Sequence, residues 1–157
     1  METTSLSELK KDLSLLPPNE IVDICMKIVR YKKENKELLH YLLFHAHNEE
    51  SYIEEVKKEI TVLFKDSVLF SLYLSKKTIR KILKITNNYI RYSKLKQTEV
   101  ELRMHLCTEI KKTGVLLHAD KSLTNLYQRQ IEKIYKAMDK LHEDLQHDYL
   151  VELKSLV

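Results

Sequence analysis

Apolar residues recur along this chain at spacings of three and four, which predicts a succession of amphipathic helices. Leu6, Leu9, Leu13 and Leu16 mark a short first helix over 5–16, starting at Ser5 or Ser7, either of which can cap it. Pro17-Pro18 stops that helix. Proline suits a first helical position, so Pro18 with Glu20 behind it opens a second helix through Ile21, Ile24, Cys25, Ile28 and Val29, ending near Tyr31. KKENKE, residues 32–37, reads as a polar joint or exposed turn, after which Leu38, Leu39, Leu42 and Leu43 carry a third helix towards His45 or His47.

Asn48 is placed to cap a fourth helix over 49–65. Ile53, Val56, Ile60, Leu63 and Phe64 fall on one side of it, and Glu50, Glu54, Glu55 and Glu59 on the other. The apolar run DSVLFSLYLSKK, residues 66–77, extends that helix or forms a buried connector, with Ser75 predicted as the next cap. A fifth helix follows over 76–92. A sixth, over 96–112, buries Val100, Leu102 or Met104, Leu106, Cys107 and Ile110, and Gly114 stands where a C-cap belongs. A last helix starts at Asp120 or Ser122 and exceeds 25 residues, carrying Leu123, Tyr127, Ile131, Ile134, Met138, Leu141 and Leu145 near a 3.5-residue period. This stripe reads first as a packing seam within the chain, and second as the seam of a homodimer.

Composition agrees with a wholly helical reading. One Gly, two adjacent Pro and no Trp among 157 residues leave few turn formers. The expectation is an all-α fold of six or seven helices, in an irregular bundle or short α-solenoid-like array with a long C-terminal helix, forming one domain over 1–157. Cys25 and Cys107 lie in apolar helical patterns and match no metal or redox spacing, which predicts buried thiols in a reducing compartment, the cytoplasm. METTSLSELKKDL has acids and no apolar core of a leader, and YLLFHA and VLFSLYL are too short to span a bilayer, so neither export nor membrane insertion is expected.

The string LKKDLSLLPPNEIVDICMKIVRYKKENKELLHYLL joins a leucine helix, a short stop, an Ile/Leu-rich helix and K-x-N-K-E-L-L. It resembles the opening of a family of small all-helical bacterial proteins of uncharacterised function, and VELRMHLCTEIKKTGVLLHADKSLTNLY is similar to that family's leucine helix, Gly turn and Asp before a final helix. The resemblance implies a helical fold and carries no activity.

Charge is where the chain becomes uneven. Residues 67–98 contain no Asp or Glu but eight bases, Lys76, Lys77, Arg80, Lys81, Lys84, Arg91, Lys94 and Lys96. Taking these eight from the 27 bases leaves 19 against 23 acids, so the net charge of +4 resides in this segment. At 100° per residue, Lys76, Lys77, Arg80, Lys81, Lys84 and Arg91 share an arc of about 140°, opposite Ile79, Ile82, Leu83, Ile85, Tyr89 and Ile90. Five like-charge neighbours on that arc cost an isolated helix about 1–2.5 kcal/mol. A polyanion would offset this, with Tyr73, Tyr92, Asn87 or Asn88 adding stacking or hydrogen bonds, and the result would be non-specific nucleic-acid binding. The competing expectation is neutralisation by the glutamate face of the fourth helix, or screening by salt. Lysine outnumbers arginine 22 to 5, which is weak for a dedicated reader of DNA or RNA.

No catalytic or cofactor motif is present, and a single Gly all but excludes a phosphate-cradling loop. Glu37-Leu-Leu-His40 is one Glu-x-x-His unit, whereas a di-iron bundle needs two and two further glutamates. His45 and His47 diverge by about 200° on a helix. Glu101, His105 and Glu109 share one face at intervals of four, where they could support a metal or tune His105 as a base, but such a stripe more often meets solvent. His142 and His147 sit among Asp139, Glu143, Asp144 and Asp148 without a closed ligand set. The expectation is a non-enzymatic interaction module with no cofactor and no metal. Its partner is another protein or, alternatively, a polyanion, and a metal-dependent or acid/base enzyme is a distant third.

Overall fold

A computed structural model describes residues 4–66, 72–114 and 120–157. Among them are eight α-helices and a π-helical turn, and no strand. The elements are α1 (Leu6–Ser14), α2 (Pro18–Tyr31), α3 (Lys33–His40), the π-turn Tyr41–His45, α4 (Glu49–Lys65), α5 (Leu72–Ser93), α6 (Lys96–Lys112), α7 (Lys121–Met138) and α8 (Glu143–Leu153). The all-α class holds, with more helices than the six or seven expected. Contacts divide the chain into two compact units, Met1–Leu43 and Phe44–Val157.

In the first unit, local chemistry sets the helix boundaries. The Ser5 side chain accepts from the Glu8 N–H, and the Glu8 carboxylate accepts from the Ser5 N–H, a capping box that starts α1. Pro18 stands at the first position of α2 as predicted. The run KKENKE is not a joint: only Lys32 leaves helical geometry, with φ −146° and ψ 146°, and α3 begins at the next residue. The Asn35 amide donates to the Ile28 carbonyl at 2.8 Å across that break, which ties α3 to α2. None of α1, α2 and α3 has a buried residue.

The second unit is a helical bundle organised around α6, which packs against α4, α5 and α7. Burial on several sides explains why Thr98, Val100, Leu102, Arg103, Met104, Leu106, Cys107, Glu109 and Ile110 are all shut in, and why both Leu102 and Met104 are core rather than one of them. Asn48 caps α4 by accepting from the Ser51 N–H at 3.2 Å. Gly114 takes the left-handed conformation after α6, at φ 68°. Ser75 is not a cap: α5 already runs from Leu72, and Ser75 is buried within it. The preceding expectation of an extended helix or connector falls partly on residues 67–71, outside the described residues.

The long C-terminal helix is broken. α7 starts beside Asp120, whose side chain accepts from the Leu123 N–H at 3.0 Å, but it ends at Met138. Turn hydrogen bonds from Lys140 N–H to Ala137 and from Leu141 N–H to Met138 follow, and α8 starts after His142. The break lets the chain fold back: Tyr127 donates to the Leu156 carbonyl at 2.8 Å, and Leu153 and Leu156 become core. Leu123, Tyr127, Ile134 and Met138 of the predicted seam are buried within the chain, and α7 packs closely on α6.

Candidate functional site

The basic face lies on α5, whose apolar side holds Ile79, Ile82, Thr86 and Ile90 in the core. Lys77, Arg80, Lys81, Lys84 and Arg91 are exposed, and Lys76 is half-buried. Lys76 is the member that the fold uses, since its ammonium meets Asp120 Oδ2 at 2.6 Å. The same ammonium, with the Leu123 N–H, holds the Asp120 carboxyl below the usual carboxylate range. Arg80 donates from Nη2 to Ser122 Oγ at 2.8 Å. Among the described residues, Lys77, Lys81, Lys84 and Arg91 have no ion pair.

Among the described residues the glutamates of α4 make no direct ion pair with them. α4 packs beside α5, yet four of its five carboxylates turn to other partners: Glu54 to Lys57, Glu55 to His45 at 3.9 Å, Glu59 to the Tyr89 hydroxyl, and Glu49 to the hydroxyls of Ser93 and Thr98. Each of these contacts draws a carboxylate to a group other than an α5 base. The reason is geometric. Helices bury the apolar sides on which they meet, and the charged arcs opposite those sides point apart.

A second polar row, three bases and an asparagine on α7, supplies what one helix could not. Lys121, Asn125, Arg129 and Lys133 recur every four residues and, with Arg80, line a groove of about 590 Å³ between α5 and α7. Leu83, Leu126 and Gln130 also line it. Among the described residues no carboxylate does. Beneath this groove the buried Arg103, 5% exposed, donates to Glu99, Asn87 and Gln130, at 2.7 Å to the last. Burial pushes the Glu99 carboxyl up, but hydrogen bonds from Lys96 and Arg103 outweigh it and leave the group lowered. The α7 row escapes a search for acid-free stretches because Asp120 precedes it and Glu132 interrupts it in sequence, whereas the four-residue spacing of 121, 125, 129 and 133 reveals it.

The stripe Glu101, His105 and Glu109 is not solvated as expected. Glu109 is 5% exposed and pairs with Lys112 at 2.7 Å. Glu101 is half-buried and accepts from Lys57 at 2.9 Å, Tyr149 at 2.7 Å and Gln97 at 3.2 Å. Burial raises its carboxyl, and the bonds from Lys57 and Tyr149 more than reverse that. His105 is within 2.8 Å of Thr61 Oγ1, and burial lowers its pKa, favouring the neutral ring. The three groups thus have separate partners, and no cluster of three or more potential ligands occurs among the described residues. His45 packs near the Tyr52 ring while His47 is exposed. Cys107 is buried, with its thiol pushed up to about 12, whereas Cys25 is only half-buried.

No family model, curated protein or solved structure matches this chain. Among the described residues no helix is long and apolar enough to cross a membrane.

Proposed function

We propose that this chain is a non-enzymatic, cytoplasmic interaction module whose second unit binds a polyanion through α5. The observation that carries the reading is the exposure of Lys77, Arg80, Lys81, Lys84 and Arg91 on one helix face without a carboxylate partner among the described residues. Such an array attracts phosphates without reading sequence, and its own repulsion is relieved on binding. The non-enzymatic part draws support from the interior polar groups, since Glu99, Glu101 and Arg103 are committed to structural bonds and Cys107 is shut away as a neutral thiol. Two free thiols fit a reducing compartment.

Titration of the protein into labelled DNA and RNA at several salt concentrations tests the reading. If the five exposed bases contact duplex phosphates, log K falls against log salt with a slope of about −4.5. Absence of binding at low salt overturns it. Binding unchanged by Lys77→Glu with Lys81→Glu moves the contact off this face.

A second reading, docking of a partner protein, draws on the first unit, where Leu9, Leu13, Val22, Met26 and Ile28 are exposed. Cross-linking in the native cell, followed by peptide mapping, is expected to place a partner on α1 and α2. Leu13→Glu with Met26→Glu then removes those cross-links. Cross-links confined to the second unit, or unaffected by the pair, reject it.

A further inference from the structure

Charge on one helix face leaves open which polymer is bound, and the groove between α5 and α7 answers that. We propose that this groove holds the phosphate backbone of single-stranded nucleic acid, with Arg80, Lys121, Arg129 and Lys133 as its phosphate contacts; the inference rests on the polyanion reading above and extends the contact from the open α5 face into the adjoining cleft.

Sign comes first. Four bases line the groove from two helices, and among the described residues no carboxylate does. The nearest acid at the start of α7, Asp120, is already engaged by Lys76 and the Leu123 N–H, so it does not cancel them. Arg80 is held in place by its bond to Ser122, and Arg129 offers a second planar fork, the geometry that suits phosphate oxygens. Ser122 and Asn125 add neutral polar groups of the kind that position a nucleic-acid backbone.

Width then selects the ligand. Both α5 and α7 pack on α6, and helix axes in contact lie 8–10 Å apart, so the axes of α5 and α7 are separated by at most about 20 Å. Each helix with its side chains is about 10–12 Å across, which leaves a gap of about 10 Å or less. Spread along the roughly 18 Å of α7 from Lys121 to Lys133, a volume of about 590 Å³ corresponds to a channel about 6 Å across, the scale of a single sugar-phosphate backbone. That is too narrow for a duplex to enter, and an acidic polypeptide is distinguished by the poly-glutamate arm of the test below. Along α7, each four-residue step rises about 6 Å, so Lys121, Arg129 and Lys133 form a line that follows an extended backbone. No aromatic side chain lines the groove among the described residues, so bases project outward and sequence is not read.

The test uses the full chain and fluorescence anisotropy with a labelled uridine decamer, a DNA decamer of mixed sequence, and a duplex of equal length. Single strands are expected to bind more tightly than the duplex and within about threefold of one another. Four contacts with a single strand give a salt slope of about −3. Lys121→Glu with Arg129→Glu and Lys133→Glu, all on exposed positions, is expected to weaken single-strand binding by about tenfold or more, with the circular-dichroism spectrum and melting curve retained. Lys77→Glu with Lys81→Glu, outside the groove but on the same basic helix, is expected to weaken it by a smaller factor than the triple does, through lost long-range attraction. The reverse pattern, loss in the α5 pair and none in the α7 triple, overturns the groove and leaves the polyanion reading standing. No binding by the unmodified chain removes both. Tighter duplex binding, or displacement of the decamer by poly-glutamate as readily as by unlabelled strand, also overturns the groove.

Discussion

Two clefts in the second unit are lined by charge of opposite sign, and they differ in how much of that charge is already spoken for. Glu49, Glu50, Glu54 and Glu101 line an acidic cleft between α4 and the start of α6. Three of the four have partners: Glu49 accepts from Ser93 and Thr98, and Lys57 bridges Glu54 and Glu101 at 2.9 Å each. The basic groove shows the opposite state. Arg80 has a hydroxyl partner, and Lys121, Arg129 and Lys133 have no ion pair among the described residues. The acidic cleft is therefore internal wiring that ties α4 to α6, and the basic groove is a surface with charge left over. Local charge density is similar; unsatisfied charge is what distinguishes a candidate contact.

The largest expected effect lies just under the basic groove. Arg103→Met strands Glu99 and removes the bonds to Asn87 and Gln130, and should cost about 3–5 kcal/mol in urea unfolding, as breaking a buried charge pair does. A loss under about 1 kcal/mol would mean the network is not holding the floor. In the acidic cleft, Lys57→Met should cost about 1–2 kcal/mol, because Glu54 and Glu101 lose their shared cation. If it costs nothing, the contrast between the clefts fails.

Two left-handed residues flank α6 and should respond in opposite directions. Lys94, at φ 62°, carries a side chain where glycine is preferred, so Lys94→Gly should gain about 0.5–1 kcal/mol; Gly114→Ala, at φ 68° with open space around it, should lose about 1 kcal/mol through the backbone alone. Thermal melts check both.

His105 sharpens the picture through pH. Burial lowers its pKa in the folded chain, against the pull of Glu109, so below the ordinary value of 6.5 the unfolded chain binds a proton that the folded chain does not. Its contribution is complete above that value and declines as pH falls towards the folded pKa. Urea midpoints should drop between pH 7.5 and 5.5, and His105→Asn should flatten that part of the dependence. The smallest effect belongs to the basic groove: Lys121→Gln with Lys133→Gln should leave stability within about 0.5 kcal/mol, measured by the same unfolding curves, because those bases hold nothing together.

Helix boundaries were legible wherever a side chain makes its own cap. Ser5, Pro18, Asn48, Asp120 and Gly114 each act within three residues of their own position, so the sequence is enough to read them. The break after Met138 was not, because its gain arrives later in the chain, when Tyr127 reaches Leu156 and Leu153 enters the core. Of the site, the α5 face was readable from an acid-free run. Its partner row on α7 was hidden by one intervening acid, Glu132, and the fate of the α4 glutamates depended on which helix sides meet.

Periodicity, caps and charge runs act over one helical turn, so the sequence by itself determined an all-helical chain with a two-faced basic helix. The central place of α6, the use of Lys76 by Asp120 and the facing of two basic rows across one groove depend on residues some forty positions apart. Only packing brings those together, because burying apolar sides orients each helix and the charges follow wherever that orientation carries them.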